Sequence, residues 1–167
     1  GKIDILVNNA AIQKTYQTLD AISIDAFEST FRTNAFGTFY LCKAGIELIE
    51  EGGCIINTAS IQSFDPSAYL LPYSATKAAI ASMTKSFASF AIDKGIRVNA
   101  VAPGPVWTPL IPGTMPTDKV VNFGSSTLFG RPAQPAELAP SYVFLASPQA
   151  SFVTGEIYPV TGGRHQI

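Results

Sequence analysis

Short, continuously apolar runs alternate along the chain with longer stretches whose apolar residues recur at helical spacing. Ile3 to Val7 is a β-type run stopped by Asn8-Asn9; it lacks the alternation of a half-exposed strand and reads as a buried parallel strand. From Ser23 to about Ile49, the residues Ile24, Phe27, Phe31, Ala35, Phe39, Cys42, Ile46 and Ile49 fall at steps of three or four. That spacing predicts a long helix, which Gly52-Gly53 would end. Cys54 to Ser60 predicts a second buried strand, and Ile61 to Leu71 a loop closed by Pro72. Tyr73 to about Lys94 predicts a second long helix with Met83, Phe87 and Phe90 on one side, ended by Gly95. Arg97 to Ala102 gives a third strand, stopped by Pro103-Gly104-Pro105.

Gly104 to Pro135 is heavy in Pro, Gly, Ser and Thr yet holds Trp107, Leu110, Ile111, Phe123, Leu128 and Phe129. A long apolar loop of this kind points to a functional segment. Pro135 to Ala146 reads as a third helix despite Pro140 within it, and Glu156 to Val160 as a last strand. The alternation of strands and helices, with no internal repeat, implies an α/β fold: a parallel sheet with right-handed crossovers.

Composition narrows the partners. At 167 residues, 47% hydrophobic, 14% charged and formally −1, the chain suits one globular domain, 1–167, and excludes disorder, coiled coil and collagen. With no Lys/Arg run, neither nucleic acid nor an anionic membrane surface is expected as a partner, and no apolar stretch approaches the ~20 residues that span a bilayer. Cys42 and Cys54 lack C-x-x-C spacing, so they read as small core hydrophobes and suggest neither a disulfide scaffold nor a metal site. The chain opens at Gly1 without Met and runs almost at once into an apolar strand, as would a chain whose front is missing.

In open parallel sheets ligands bind beyond the carboxyl ends of the strands. The residues there are Asn8-Asn9-Ala10-Ala11, Ser60 and Pro103-Gly104. Tyr73 and Lys77 sit four apart at the start of a helix, project from one face and lie near the loop after Ser60. A free tyrosine has a pKa near ~10, so about one in a thousand is phenolate at neutral pH, and lowering that pKa by ~3 units requires ~4 kcal/mol. One close, partly desolvated cation could supply much of it. Tyr73 could then trade a proton with an alcohol or carbonyl oxygen that Ser60 holds by a hydrogen bond, while hydride chemistry would still need a cofactor. Singly, each residue has an ordinary structural role: a Tyr/Lys pair on an amphipathic helix, a Ser that turns the chain, Asn34 as a locally bonded amide. Their joint occurrence at matched topological positions points to chemistry. A serine hydrolase using Ser60 or Ser126 is a weaker reading, since there is no G-x-S-x-G elbow and the single histidine, His165, lies in a Gly-rich tail.

Asp4-Ile5-Leu6-Val7-Asn8-Asn9-Ala10-Ala11, Phe31-Arg32-Thr33-Asn34, Ile55-Ile56-Asn57-Thr58-Ala59-Ser60, Tyr73-Ser74-Ala75-Thr76-Lys77 and Arg97-Val98-Asn99-Ala100-Val101-Ala102-Pro103-Gly104-Pro105-Val106-Trp107-Thr108 together make the chain resemble the C-terminal two-thirds of a short-chain dehydrogenase/reductase. It is most similar to the bacterial and plant branch of NADP-dependent aldehyde reductases and general-stress oxidoreductases. The resemblance implies a Rossmann-like parallel sheet with helices on both faces, lacking the N-terminal strands of the dinucleotide-binding domain. It implies an oxidoreductase that interconverts an alcohol and a carbonyl with NADP or NAD, NADP being slightly favoured. Tyr73 would be the proton donor or acceptor and Ser60 would orient the substrate oxygen. Lys77 would lower the Tyr73 pKa and bind the nicotinamide ribose, and Asn34 would hold a water in a relay with Lys77. Asn9 would lie along the adenosine ribose, the backbone of Pro103, Gly104 and Val106 beside the nicotinamide, and Thr108 near the pyrophosphate.

Ala11 departs from the Gly usual in the family and slightly narrows the backbone's approach to the cofactor. No G-x-x-x-G-x-G or G-x-G-x-x-G occurs in the chain, so the glycine-rich turn that binds dinucleotide phosphates is missing. The alternative is therefore a non-catalytic remnant or binding module that keeps the fold but cannot hold cofactor. The 104–135 segment is expected to be a substrate lid, the parent protein a homotetramer or dimer, and its location cytoplasmic.

Overall fold

A computed structural model describes residues 1–163. Four strands, β1 (Ile3–Asn8), β2 (Ile49–Thr58), β3 (Arg97–Pro103) and β4 (Ile157–Val160), form one sheet in the order β1-β2-β3-β4. All three pairings are parallel, with Leu6 opposite Ile55, Ile55 opposite Val98 and Val101 opposite Tyr158. The helices are α1 (Ile24–Phe31), α2 (Gly37–Leu48), α3 (Leu71–Ala91), α4 (Leu110–Thr114), α5 (Thr117–Val121) and α6 (Pro135–Ala146).

Side-chain alternation along the strands divides the core between the two faces of the sheet. Ile55 and Val98 pack against Cys42 and Ile46 of α2 and Phe87, Ala88 and Ala91 of α3. Cys54, Ile56 and Val101 point the other way, against Leu145 and Tyr142 of α6. Ile55, Ile56, Val98, Val101 and Leu145 are essentially inaccessible. Burial of each contributes about 1.5–3 kcal/mol relative to exposure. Helices thus cover both faces, giving the Rossmann-like α/β arrangement. β1 is an edge strand among the described residues, and Ile5 and Val7 are exposed on the α6 side of it. No helix among the described residues is long and apolar enough to cross a membrane.

Local chemistry explains where these elements begin and end, and it corrects four expectations. Ser23 does start the first helix, its Oγ accepting from the Ala26 amide at 3.2 Å. The stretch from Ser23 to Ile49 is nevertheless not one regular helix, because Arg32–Phe36 forms a wide π turn centred on Asn34 and α2 stops at Leu48. Gly52-Gly53 does not end a helix, since β2 is already running at Ile49, opposite Ile3. The next pair is Ile5 with Cys54, so β2 carries a bulge there. Gly52 takes φ +87° in it, and a Cβ on Gly53 would lie 2.6 Å from the Asp4 carbonyl oxygen. α3 begins at Leu71, ahead of Tyr73, with Pro72 in its first turn, where a missing N–H costs nothing. Gly104 to Pro135 is not continuous loop, since it contains α4 and α5.

Buried amides lock the strand ends. Asn8 Nδ2 donates to Asn57 Oδ1 at 2.9 Å across β1 and β2, and Asn57 Nδ2 donates to Thr84 Oγ1 of α3 at 2.9 Å. Cys42 and Cys54 are buried, unpaired thiols, and burial pushes both up, Cys42 to about 11. This matches their reading as core residues.

Candidate active site

The carboxyl ends of β1, β2 and β3 open into a cleft of about 1260 Å³, roofed by the 104–135 segment and bounded on one side by α6. Asn9, Ser60, Tyr73, Lys77, Pro103, Gly104, Val106 and Thr108 all line it, so the topology brings together all but one of the residues singled out in the sequence. Asn34 is the exception. It is fully buried in the π turn, and its amide is spent on the chain after β1: the Ile12 amide donates to Oδ1 at 2.8 Å, and Nδ2 donates to the Ile12 carbonyl at 2.9 Å and to Thr76 Oγ1 at 3.1 Å.

Ser60 lies two residues beyond the end of β2 and caps the turn Ile61–Ser63, its Oγ accepting from the Gln62 amide at 3.1 Å. Ser60 and Tyr73 line the same cleft, and the Ser60 hydroxyl acts on the Tyr73 phenol to lower its pKa. One helical turn on, Lys77 is 2% exposed; its Nζ lies 5.5 Å from the centre of the Tyr73 ring and donates to the Thr58 carbonyl at 2.6 Å. Burial pulls Lys77 down to about 8. Burial also pushes Tyr73 up to about 12, more than the Ser60 hydroxyl lowers it. Desolvation thus dominates both groups in this structure, and the Lys77 ammonium is not among the causes of the Tyr73 shift. A phenol so placed holds its proton across the neutral range and can give it up only to a strongly basic oxygen.

The walls fix the approach to this cluster. Gly104 continues the β3–β4 ladder by donating to the Val160 carbonyl at 2.9 Å, and a Cβ there would meet the Thr161 Cα at 2.8 Å. Val106 is held by reciprocal backbone bonds of its neighbours to Ala133, Trp107 N to Ala133 O at 2.8 Å and Ala133 N to Pro105 O at 2.9 Å. The roof is tied to the loop after β1, since Gln13 Nε2 donates to Thr114 Oγ1 at 3.0 Å and Thr15 Oγ1 donates to the Thr114 carbonyl at 2.9 Å. Leu110, Ile111, Met115 and Phe123 give the roof an apolar inner surface.

Sequence reasoning passed over Thr58, Gln13, Thr114 and Tyr142. Thr58 could have been found from its place at the end of a strand beside Ser60, whereas Gln13, Thr114 and Tyr142 carry no sequence signal. Ser126 also lines the cleft but is exposed, and His165 lies outside the described residues, so no hydrolytic pair is assembled around either serine among them. Among the described residues no three His, Cys, Asp or Glu side chains gather as a metal-binding group.

The chain is similar throughout to known oxidoreductases. The family model described as enoyl-(acyl carrier protein) reductase matches residues 1–165. Over 164 residues the chain is 52% identical to Uncharacterized oxidoreductase YhdF of Bacillus subtilis, covering 98% of this chain and 57% of the relative. It is 46% identical over 164 residues to NADPH-dependent aldehyde reductase 1, chloroplastic, of Arabidopsis thaliana, again covering 98% and 57%. Among solved structures, the short-chain dehydrogenase/reductase described as a glucose/ribitol dehydrogenase from Brucella melitensis superposes with a TM-score of 0.90 at 34% identity, covering 100% of this chain and 67% of that one. The chain belongs to the short-chain dehydrogenase/reductase family of oxidoreductases. It spans a little over half the length of the curated relatives it matches.

Proposed function

We propose that the protein interconverts an alcohol and a carbonyl compound with a nicotinamide dinucleotide, using Tyr73 as the acid and base. The carrying observation is that one cleft is lined by Ser60, Tyr73 and Lys77, with the buried Lys77 Nζ 5.5 Å from the centre of the Tyr73 ring. The residues suit such a cofactor: Lys77 brings a buried cation to the floor of a cleft that opens beyond the carboxyl ends of the parallel strands. Lys77 would hold the nicotinamide ribose, Asn9 the adenosine ribose, the backbone at Pro103, Gly104 and Val106 the nicotinamide amide, and Thr108 the pyrophosphate side. The cofactor, when bound, supplies or accepts the hydride, which no side chain can do.

In reduction Ser60 donates a hydrogen bond to the substrate oxygen and Tyr73 gives it a proton as the carbon gains hydride; in oxidation Tyr73 takes that proton back. Lys77 stabilises the phenolate left behind. Asn34 holds the loop that carries Asn9, and a water bound beside its backbone would pass protons to Lys77. The apolar roof over 104–135 acts as a lid that excludes water during hydride transfer, which fits a moderately apolar carbonyl substrate. Similarity to an NADPH-dependent aldehyde reductase favours NADP over NAD. The exposed Phe36, Phe39, Tyr40 and Phe90 on α2, α3 and the π turn fit assembly into dimers or tetramers, and a cytoplasmic setting belongs to the same reading.

The test is to mix the full-length gene product with NADPH or NADH and a panel of aldehydes and ketones, following cofactor absorbance. Turnover faster with NADPH is expected. Failure to bind either cofactor would overturn the proposal in favour of a fold without catalysis.

A further inference from the structure

Tyr142 is a tyrosine where a phenylalanine would pack as well. Its ring lies on α6 against Cys54, Ile56, Val101 and Leu145. Its hydroxyl goes further and meets Thr58 Oγ1 at 2.9 Å, and Thr58 Oγ1 in turn donates to Asn9 Oδ1 at 3.1 Å. Proton counting gives this chain one direction. The Asn9 carbonyl oxygen can only accept, so the single Thr58 proton is committed to it, and the Thr58 oxygen is left to accept from Tyr142. Burial pushes the Tyr142 phenol up, so it remains a donor throughout the neutral range. With Oδ1 accepting from Thr58, Nδ2 is the end of the Asn9 amide left to donate, in a residue that lines the cleft.

We propose that Tyr142 and Thr58 are positioning residues for Asn9: the hydroxyl chain from α6 through β2 to the end of β1 fixes the Asn9 amide as a donor to the cofactor's ribose. Thr58 thereby serves both halves of the cleft, since its carbonyl holds Lys77 Nζ while its hydroxyl orients Asn9. The inference rests on the proposed role of the cleft as a nicotinamide dinucleotide site. It goes beyond that role in assigning a ligand-orienting function to a helix on the far side of the sheet from α3.

The experiment uses the full-length gene product, with NADPH as the probe. Tyr142→Phe, Thr58→Val and Asn9→Ala are each titrated with NADPH, and unfolding is measured without cofactor. Each is expected to raise the NADPH Kd about fivefold, the share of one neutral hydrogen bond. Tyr142→Phe with Thr58→Val should lose no more than either alone, because a chain broken at one link is already broken. In Tyr142→Phe the cofactor KM should rise by more than kcat falls, and Thr58→Ser, which keeps the hydroxyl, should restore the wild-type Kd. Lower thermal stability with Kd within twofold of wild type would make Tyr142 structural and overturn the relay. So would losses that multiply in the double variant. Wild-type protein that binds no NADPH would overturn the functional reading first, a result distinct from both.

Discussion

Asn34→Ala is the substitution whose cost can be worked most directly from the structure. The side chain is fully buried and makes three hydrogen bonds, at 2.8 and 2.9 Å to the two backbone groups of Ile12 and at 3.1 Å to Thr76. At about 1 kcal/mol net for each neutral bond, their loss removes about 3 kcal/mol, before any contribution from the cavity left behind. In urea unfolding of the full-length gene product, a slope of roughly 2–3 kcal/mol/M turns that into a midpoint lower by about 1 M or more. The segment released is the one that follows Asn9 and carries Gln13, so NADPH affinity should fall in the same variant. Asn34→Asp keeps an acceptor for the Ile12 amide but loses both donor bonds and buries a charge, and should be no more stable than Asn34→Ala. A midpoint shift below about 0.3 M in Asn34→Ala would refute the clamp.

Gly104→Ala forces a methyl onto the Thr161 backbone at 2.8 Å, so the ends of β3 and β4 must separate. Calorimetry should show a loss of about 1–3 kcal/mol, and NADPH titration a weaker complex, whereas wild-type values for both would show the contact to be soft. The pH behaviour follows from burial. With Tyr73 pushed up to about 12, carbonyl reduction should stay level from about pH 6 to about 8, while alcohol oxidation, which asks the phenol to accept a proton, should rise with pH. A reduction rate that falls steeply across that window would contradict the proton assignment. Lys77 sits at about 8, below its ordinary 10.5, so on its account the unfolded chain binds more protons and the Lys77 contribution to stability increases as pH rises through about 8, while the raised Cys42, Cys54 and Tyr73 act in the opposite sense from about pH 9 upward. Denaturation midpoints of the wild type minus those of Lys77→Met isolate this contribution and should rise between about pH 7 and 9; a difference flat with pH would contradict the burial of the ammonium.

The parts of the fold that sequence reveals are those set by short-range patterning. Buried parallel strands must be apolar on both faces, so β2 and β3 stand out as runs, and the Tyr73 to Lys77 spacing on α3 needs only helical geometry. β1 stands out by the same composition, yet as an edge strand among the described residues it leaves Ile5 and Val7 exposed where the run Ile3 to Val7 reads as buried. The π turn at Asn34 escaped because its cause is distant: the amide bonds Ile12, far along the chain, and a regular turn would not hold it there. The β2 bulge escaped for a similar reason, since two adjacent glycines read locally as a helix stop, and only pairing with Ile3 and Asp4 reveals a strand. Within the 104–135 segment, α4 and α5 are five residues each, too short for periodicity to register. At the site, the side chains that the fold gathers in the cleft were legible from their places after strands and on one helix face, but the contact between Thr58 and Tyr142 was not. Both are ordinary in sequence, and their hydroxyls meet only because folding sets them side by side.

The central claim is that Tyr73 moves the proton while the rest of the cleft holds the cofactor. Tyr73→Phe in the full-length gene product, measured for NADPH affinity and for aldehyde turnover side by side, tests it most directly. The account predicts NADPH affinity within about threefold of wild type and turnover reduced by ~10²-fold or more, the share of a positioned acid. Turnover that persists at the wild-type rate in that variant would contradict it.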